Sequence, residues 1–122
     1  MIVTTLIENR PNKNNSNLVG EWGLSLHIAF NGHNILFDTG LSGSFAENAD
    51  HLSIDVAFIE TAVLSHHHFD HGGGLKRFFE LNQSAKVYMG EPPNGECFGK
   101  IFGFVKKYIG LDKEVLKANV VR

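Results

Sequence analysis

One stretch near the middle of this 122-residue chain decides its fold: Thr61-Ala62-Val63-Leu64-Ser65-His66-His67-His68-Phe69-Asp70-His71-Gly72-Gly73-Gly74. The first four residues form a compact apolar run, typical of a strand buried on both faces. A histidine-rich segment follows and ends in three glycines. Leu75, Phe78 and Phe79 then recur at helical spacing and predict a helix to about Asn82. The stretch therefore predicts a buried strand, a tight loop and a helix.

Four side chains of this loop are candidate metal ligands: His66, His68, Asp70 and His71. Imidazole nitrogens and carboxylate oxygens are the ligands that a borderline divalent ion such as zinc prefers. Because alternate residues of an extended segment point to the same side, His66 and His68 are expected to share one ion, and Asp70 and His71 to address a second. Two ions about 3.5–4 Å apart can hold a hydroxide and polarise a substrate oxygen. The competing interpretation is a solvated histidine-rich loop that chelates metal adventitiously.

The glycines after the ligands have two interpretations. Small residues let the loop turn and leave room for a substrate, which is the favoured interpretation. Alternatively, the backbone N–H groups of Gly72-Gly73-Gly74 bind a phosphate at the start of the helix.

The chain before the loop predicts a strand, a hairpin and a helix. β-branched residues indicate the first strand, and Asn31-Gly32 is the strongest short signal for a hairpin turn. A serine, Ser42 or Ser44, is expected to cap the helix. The segments are Ile2 to Ile7 for the strand, Trp22 to Phe30 and His33 to Asp38 for the hairpin, and Ser42 or Ser44 to about His51 for the helix.

The chain after the loop predicts further alternation of strands and helices. An apolar stripe from Phe98 to Ile109 follows helical spacing and predicts an amphipathic helix that ends at Gly110. Because strands alternate with helices, residues 1–122 predict a single α/β domain, a mixed sheet with helices packed on it. The remaining segments are Ala85 to Met89 for a strand, Asp112 to Leu116 for a short helix and Asn119-Val120-Val121 for the start of another strand.

Composition and charge exclude several classes of protein. Eleven basic and thirteen acidic residues give a net charge of −2, without the basic surface that nucleic acid or an anionic membrane requires. No apolar run approaches the roughly 20 residues of a membrane helix. The lone Cys97 precludes an intramolecular disulfide framework, and Met1-Ile2-Val3-Thr4 does not read as a signal peptide. We expect a cytoplasmic protein with a small-molecule substrate and no nucleic-acid or membrane partner.

Two motifs resemble a known family. His66-x-His68-x-Asp70-His71 resembles the H-x-H-x-D-H motif of the metallo-beta-lactamase superfamily, and Ile35-Leu36-Phe37-Asp38-Thr39-Gly40 resembles that superfamily's strand and Asp-x-Gly turn. Other segments are similar to one branch, the metal-dependent hydrolases like the dihydropterin ribofuranosylaminobenzene phosphate synthase of methanopterin biosynthesis. Those segments are Val63 to His66, Gly72 to Leu75 and Tyr108 to Leu111.

The resemblance implies a fold and an activity. The fold is the N-terminal half of an αββα sandwich, and the activity is that of a metal-dependent hydrolase whose metal-bound hydroxide acts on an ester or phosphoester. Asp38 would support the metal loop, and Asp70 would be catalytic, binding the second ion and orienting the nucleophile or accepting a proton. Zinc is the expected cofactor, with manganese or iron as alternatives. The family's second half supplies further His and Asp ligands, whereas no histidine follows His71 here.

A second class of function stays open. The chain could be a non-enzymatic remnant or assembly module that pairs with another half-domain. Whether the chain is a hydrolase or a module, a sheet without a second sheet packed on it would expose more apolar surface than a monomer usually does. We therefore expect a homodimer or a complementing second half-domain. In the alternative, a monomer, the helices predicted at 75–82 and 98–109 would cover both faces. The isolated histidines His27, His33 and His51 are expected at the surface or at an interface.

Overall fold

The computed structural model describes residues 1–91, 98–101, 105–108, 110–111 and 120–121. Eight strands are present in these segments: β1 Ile2–Ile7, β2 Ser25–Phe30, β3 His33–Phe37, β4 Thr61–Leu64, β5 Lys86–Met89, β6 Phe98–Ile101, β7 Val105–Tyr108 and β8 Val120–Val121. Six of them form one mixed sheet in the order β1-β2-β3-β4-β5-β8, and β6 and β7 form a separate two-stranded sheet. β1, β2 and β3 are antiparallel neighbours, whereas β3, β4, β5 and β8 run parallel.

The helices connect these strands. They are α1 Ser44–His51, a 3₁₀ turn at Val56–Phe58, α2 Phe69–Gly72 and α3 Leu75–Leu81. The predicted mixed sheet with helices is confirmed, and so is the strand expected at Val120–Val121. In the described segments no helix has the length and apolar character needed to cross a membrane.

The capping prediction for α1 is wrong. The residue at the N-cap position is Gly43, which has no side chain that could accept a hydrogen bond from the helix. Ser42 Oγ instead donates to a carboxylate oxygen of Glu21 at 2.7 Å. The same hydroxyl oxygen accepts the N–H of Ser44, the first residue of the helix, at 3.3 Å. Ser42 therefore contacts the start of the helix from a position before the N-cap.

The helix predicted from Phe98 to Ile109 is also wrong. This segment contains two antiparallel strands in which Phe98 pairs with Tyr108 and Ile101 pairs with Val105. Glycines at 99 and 103 disfavour a helix by about 1 kcal/mol each relative to alanine, and two strands joined by a turn also place apolar residues at short intervals. Cys97 and the helix expected from Asp112 to Leu116 lie outside the described residues.

The hydrophobic core lies on one face of the main sheet. Leu36, Ala62 and Val87 are neighbours in register on β3, β4 and β5, and all three are buried. Phe45 of α1 and Phe78 of α3 are completely buried in the same cluster. The two helices therefore cover this face and hold the carboxyl ends of the parallel strands in place.

His27 lies on this covered face rather than at the surface. It is directly opposite Leu36 and is 7% exposed, and its Nε2 lies 3.0 Å from Asn34 Oδ1. The surface prediction for His27 is wrong because the strand register turns it toward the core. His33 and His51 are exposed as expected.

The opposite face of the sheet is partly open. Val3 is 50% exposed, Phe30 48%, Tyr88 40% and Val121 43%. Between them, the register places Ile28, Ile35 and Val63 on the same face, where each is half-buried. The sheet thus has one face in the core and one apolar face that still contacts solvent.

Candidate metal centre

The histidine-rich loop is hydrogen-bonded to the turn that follows β3. The Thr39 N–H donates to the carbonyl of His71 at 2.7 Å, and the Gly74 N–H donates to the carbonyl of Gly40 at 3.3 Å. Gly40 has a φ of 71°, in the left-handed region that favours glycine. β3 and β4 are parallel neighbours, so the turn after one meets the loop after the other at the same sheet edge.

The glycines after the ligands permit this close approach. A Cβ atom at Gly73 would lie 2.1 Å from the carbonyl oxygen of Leu41, and one at Gly74 would lie 2.4 Å from that of Thr39. Both glycines have helical φ values, −62° and −80°, which any residue adopts. Their small size is therefore used for packing of backbone on backbone. It neither relieves a strained turn nor leaves free space at that point.

Three of the four predicted ligands come together. One ligand atom each from His66, Asp70 and His71 lies within 4.8 Å of the others. The rings of His66 and His71 have centroids 4.1 Å apart, and His71 Nε2 lies 3.7 Å from Asp70 Oδ2. The loop and the first turn of α2 thus gather two imidazoles and one carboxylate at the sheet edge.

The expected division into two pairs differs from this arrangement. His68 contacts His66 edge to face, with ring centroids 4.7 Å apart, but it is not in the three-residue group. The backbone is extended at His68, with φ −84° and ψ 148°, and becomes helical at Phe69. This change of direction brings His71 back against His66, which strand alternation alone does not predict.

Asp38 lies behind the group. It is 1% exposed and has a φ of 57°. Its Oδ1 accepts the Ser65 N–H at 2.8 Å, while its Oδ2 accepts the Ser65 hydroxyl and His71 Nδ1, each at 2.7 Å. Because an ionised carboxylate only accepts hydrogen bonds, the proton of a neutral His71 is on Nδ1. Its Nε2 lone pair then faces Asp70, as a metal ligand requires.

The surroundings of His66 favour its neutral form. Burial lowers the pKa of His66 below its ordinary 6.5, and the nearby His71 and His68 lower it further, against the opposite effect of Asp38 and Asp70. A neutral imidazole has the free lone pair that metal binding needs.

Two residues hydrogen-bond to the segments that form the site, but they are far from their partners along the chain and were not predicted from the sequence. Glu21 accepts the N–H groups of Leu41 and Ser42 at 2.9 and 3.0 Å, and the Leu24 N–H lies 3.4 Å from the carbonyl oxygen of Asp70. Their partners are about 20 to 46 residues away in the chain, so no local pattern could identify them.

His67 faces away from the group. It is 8% exposed, and its Nε2 lies 2.8 Å from the carbonyl oxygen of Gly90 at the end of β5. A carbonyl only accepts, so Nε2 donates, and Nδ1 has no hydrogen-bond partner among the residues that the structure describes. His67 links the loop to the neighbouring strand.

The residues present fit a divalent ion. Zinc binds imidazole nitrogen and carboxylate oxygen at about 2.0–2.2 Å, so two ligands of a tetrahedral ion lie about 3.4 Å apart. The 3.7 Å between His71 Nε2 and Asp70 Oδ2 is near that separation. His66 places a third ligand atom within 4.8 Å of those of Asp70 and His71.

Known proteins share this architecture. Tm1679, described as a metal-dependent hydrolase of the beta-lactamase superfamily, is 28% identical, with a TM-score of 0.66 over 96% of this chain. The subclass B3 metallo-beta-lactamase MEM-A1 from a soil metagenome library is 22% identical, with a TM-score of 0.54 over 83% of this chain, and shows the fold alone. The matches cover 39% and 40% of those two proteins, so this chain spans about two fifths of their length.

The family of this chain is shown by a sequence match that extends beyond the two motifs. No curated protein matches the chain. The family model of the metallo-beta-lactamase superfamily matches residues 23–94, which include the Asp38 turn, the histidine loop and α3. This match covers more than half of the chain. The chain therefore belongs to the metallo-beta-lactamase superfamily.

Proposed function

We propose that this chain is the metal-binding half of a hydrolase and that His66, His68, Asp70 and His71 hold its divalent ions. The observation that carries the proposal is the group of His66, Asp70 and His71, whose ligand atoms lie within 4.8 Å of one another. The buried carboxylate of Asp38 supports it, because it orients His71 with Nε2 toward the group. The description of Tm1679 as a metal-dependent hydrolase favours the same class.

The chemistry follows from the donor set. A divalent ion bound here would lower the pKa of water toward about 7 and polarise a substrate oxygen. Asp70 has two carboxylate oxygens and its side chain is partly exposed, so one oxygen could bind the ion while the other orients a water molecule or accepts its proton. An ester or phosphoester is the substrate class that such an arrangement hydrolyses.

Zinc is the proposed ion because two imidazoles and a carboxylate are ligands it commonly takes, and manganese and iron are the alternatives. Zinc sites in proteins use three or four protein ligands. Four ligands shared between two ions leave each ion undersupplied, so we expect the 122-residue chain alone to bind metal weakly. Calorimetry should detect no tight binding of two ions per chain.

Equilibrium dialysis against zinc tests the assignment. The paired change of His66→Ala and His71→Ala should reduce zinc retention at least about tenfold, since both removed imidazoles belong to the three-residue group. The matched control changes His33→Ala and His51→Ala, two exposed histidines outside the group. Equal retention by both double variants would show that zinc binds elsewhere.

The partner proposed for this half is a second sheet. Val3, Phe30, Tyr88 and Val121 leave an apolar face partly exposed, and the chain spans about two fifths of its solved neighbours. A second copy of the chain related by a two-fold axis, or a separate half-domain, would cover that face. The half-domain would also supply ligands that the sequence after His71 lacks.

A non-enzymatic assembly module is the second candidate. It is favoured by the partly exposed apolar face that includes Val3, Phe30, Tyr88 and Val121, which a second sheet would cover. Turnover of generic phosphoester and lactone substrates with zinc or manganese decides between the two. Turnover that disappears in the His66→Ala and His71→Ala variant supports the enzyme, and metal binding without turnover supports the module.

The narrower likeness to the synthase-like branch is also part of the proposal. It rests on the segments Val63 to His66 and Gly72 to Leu75, and it would make a phosphorylated small molecule the substrate.

A cytoplasmic location is proposed on the lone Cys97, which allows no disulfide within the chain.

A further inference from the structure

We infer that Ser65 is a positioning residue that fixes which ring nitrogen of His66 is presented to the metal. The inference rests on the proposed metal site and adds a role for a residue outside the ligand motif. Ser65 lies between β4 and His66, at the point where the strand enters the loop.

The hydroxyl of Ser65 bridges a buried carboxylate and a ligand. Ser65 Oγ lies 2.7 Å from Asp38 Oδ2 and 2.9 Å from His66 Nδ1. The carboxylate of Asp38 can only accept, so the single hydroxyl proton of Ser65 is donated to it. The serine oxygen then accepts a hydrogen bond from His66, which places the imidazole proton on Nδ1.

This relay prepares His66 for binding. With the proton on Nδ1, the Nε2 atom of a neutral His66 carries the lone pair that a metal ion needs. Without the serine oxygen, the proton can occupy either nitrogen, and the form with a proton on Nε2 must rearrange before it binds. Asp38 therefore orients two imidazoles, His71 directly and His66 through Ser65.

The role of the hydroxyl is separable from that of the backbone. The Ser65 N–H donates to Asp38 Oδ1 at 2.8 Å, and alanine would keep this bond. Ser65→Ala thus removes the relay while the loop remains attached to Asp38. Ser65→Thr restores a hydroxyl on the same carbon, and Ser84→Ala removes an exposed hydroxyl far from the loop as a matched control.

Two measurements test the inference. The ¹⁵N shifts of the His66 ring in the metal-free protein, at a pH of about 8 where imidazoles are neutral, report which nitrogen carries the proton. We expect Nδ1 in the wild type, the Ser65→Thr variant and the Ser84→Ala variant, and a mixture in Ser65→Ala. Cobalt(II) titration should show about tenfold weaker binding for Ser65→Ala and recovery in Ser65→Thr.

The outcomes separate the inference from the metal site. A wild-type His66 with its proton on Nε2 would overturn the relay, whatever the variants do. Unchanged ring shifts and unchanged cobalt affinity in a folded Ser65→Ala variant would also overturn it, while leaving the metal site intact. If the wild type binds no cobalt, the metal site fails, and the ring shifts still decide the role of Ser65.

Discussion

Asp38 connects the sheet to the imidazoles of the loop, and its buried carboxylate accepts three hydrogen bonds. Asp38→Asn removes the charge and replaces one acceptor oxygen with a donor, while asparagine also tolerates the left-handed φ of 57°. The amide NH₂ would meet the N–H and O–H donors of His71 and Ser65. We expect the free energy of unfolding to fall by about 1–3 kcal/mol in urea titrations.

The control for this change is Asp50→Asn, at an exposed position on α1. It should leave the urea midpoint close to that of the wild type, since surface changes have small effects. Equal stabilities for the Asp38 and Asp50 variants would mean that the carboxylate does not hold the loop.

Gly73 packs against the backbone of the neighbouring turn, so Gly73→Ala should be strongly destabilising. The added carbon would lie 2.1 Å from the Leu41 carbonyl oxygen, and the backbone must move to admit it. We expect a loss of about 1–3 kcal/mol in thermal or urea unfolding. Gly90→Ala is the matched control, because no atom of the described part of the chain lies within 4 Å of its added carbon. A stable Gly73→Ala variant would contradict the packing of loop on turn.

The candidate ligands could be predicted from the sequence because they lie within six consecutive positions and their side chains are unambiguous donors. Ser65 could not be assigned a role in the same way. The direction of its hydroxyl proton is set by Asp38, which is 27 residues away and reaches it only because β3 and β4 are parallel neighbours. The arrangement of the strands brings the residues that orient the ligands next to them, and the spacing of residues along the sequence does not contain that information.

Helix α3 is capped at its C-terminus by Asn82, and the side chain of this residue joins the helix to two other elements. Asn82 is 3% exposed, and its amide donates to the carbonyls of Val56, Ala57 and Ile59 at 2.9, 3.3 and 2.7 Å. Its Oδ1 accepts the Ala85 N–H at 2.8 Å, just before β5 begins. A single side chain thus joins the end of α3, the 3₁₀ turn and the start of a strand.

Asn82→Ala should therefore lower the free energy of unfolding by about 1–3 kcal/mol, since it leaves buried carbonyls without donors. Chemical denaturation monitored by Trp22 fluorescence and by circular dichroism measures it. Gln83→Ala, at the exposed neighbouring position, should have little effect. Matching denaturation curves for the two variants would show that Asn82 is not a joint between these elements.

The strands β1 to β5 and the helices α1 and α3 could be predicted from pattern, because strong turn signals such as Asn31-Gly32 separate them. The segment from Phe98 to Tyr108 could not, because apolar residues three and four apart suit a helix and also two short strands joined by a turn. Pairing between strands decided that case, and pairing is not visible in hydrophobic periodicity.

For the whole molecule, the open sheet face leads to a prediction about assembly. Light scattering at micromolar concentration should give the mass of two chains if a second copy covers the face. Tyr88→Lys, which places a charge on that face, should give the mass of one chain. Phe58→Lys is the control, because Phe58 is 72% exposed on the 3₁₀ turn, outside the sheet. A wild-type mass of one chain would exclude the second copy and leave a separate half-domain as the partner.

The position of a bound ion tests the metal-site proposal most directly. Crystals grown with zinc should show an anomalous difference peak, collected at the zinc absorption edge, between Nε2 of His66, Nε2 of His71 and the carboxylate of Asp70. We expect distances of about 2.0–2.2 Å to these atoms. A zinc peak at His33 or His51 with none in the histidine loop would contradict the proposal.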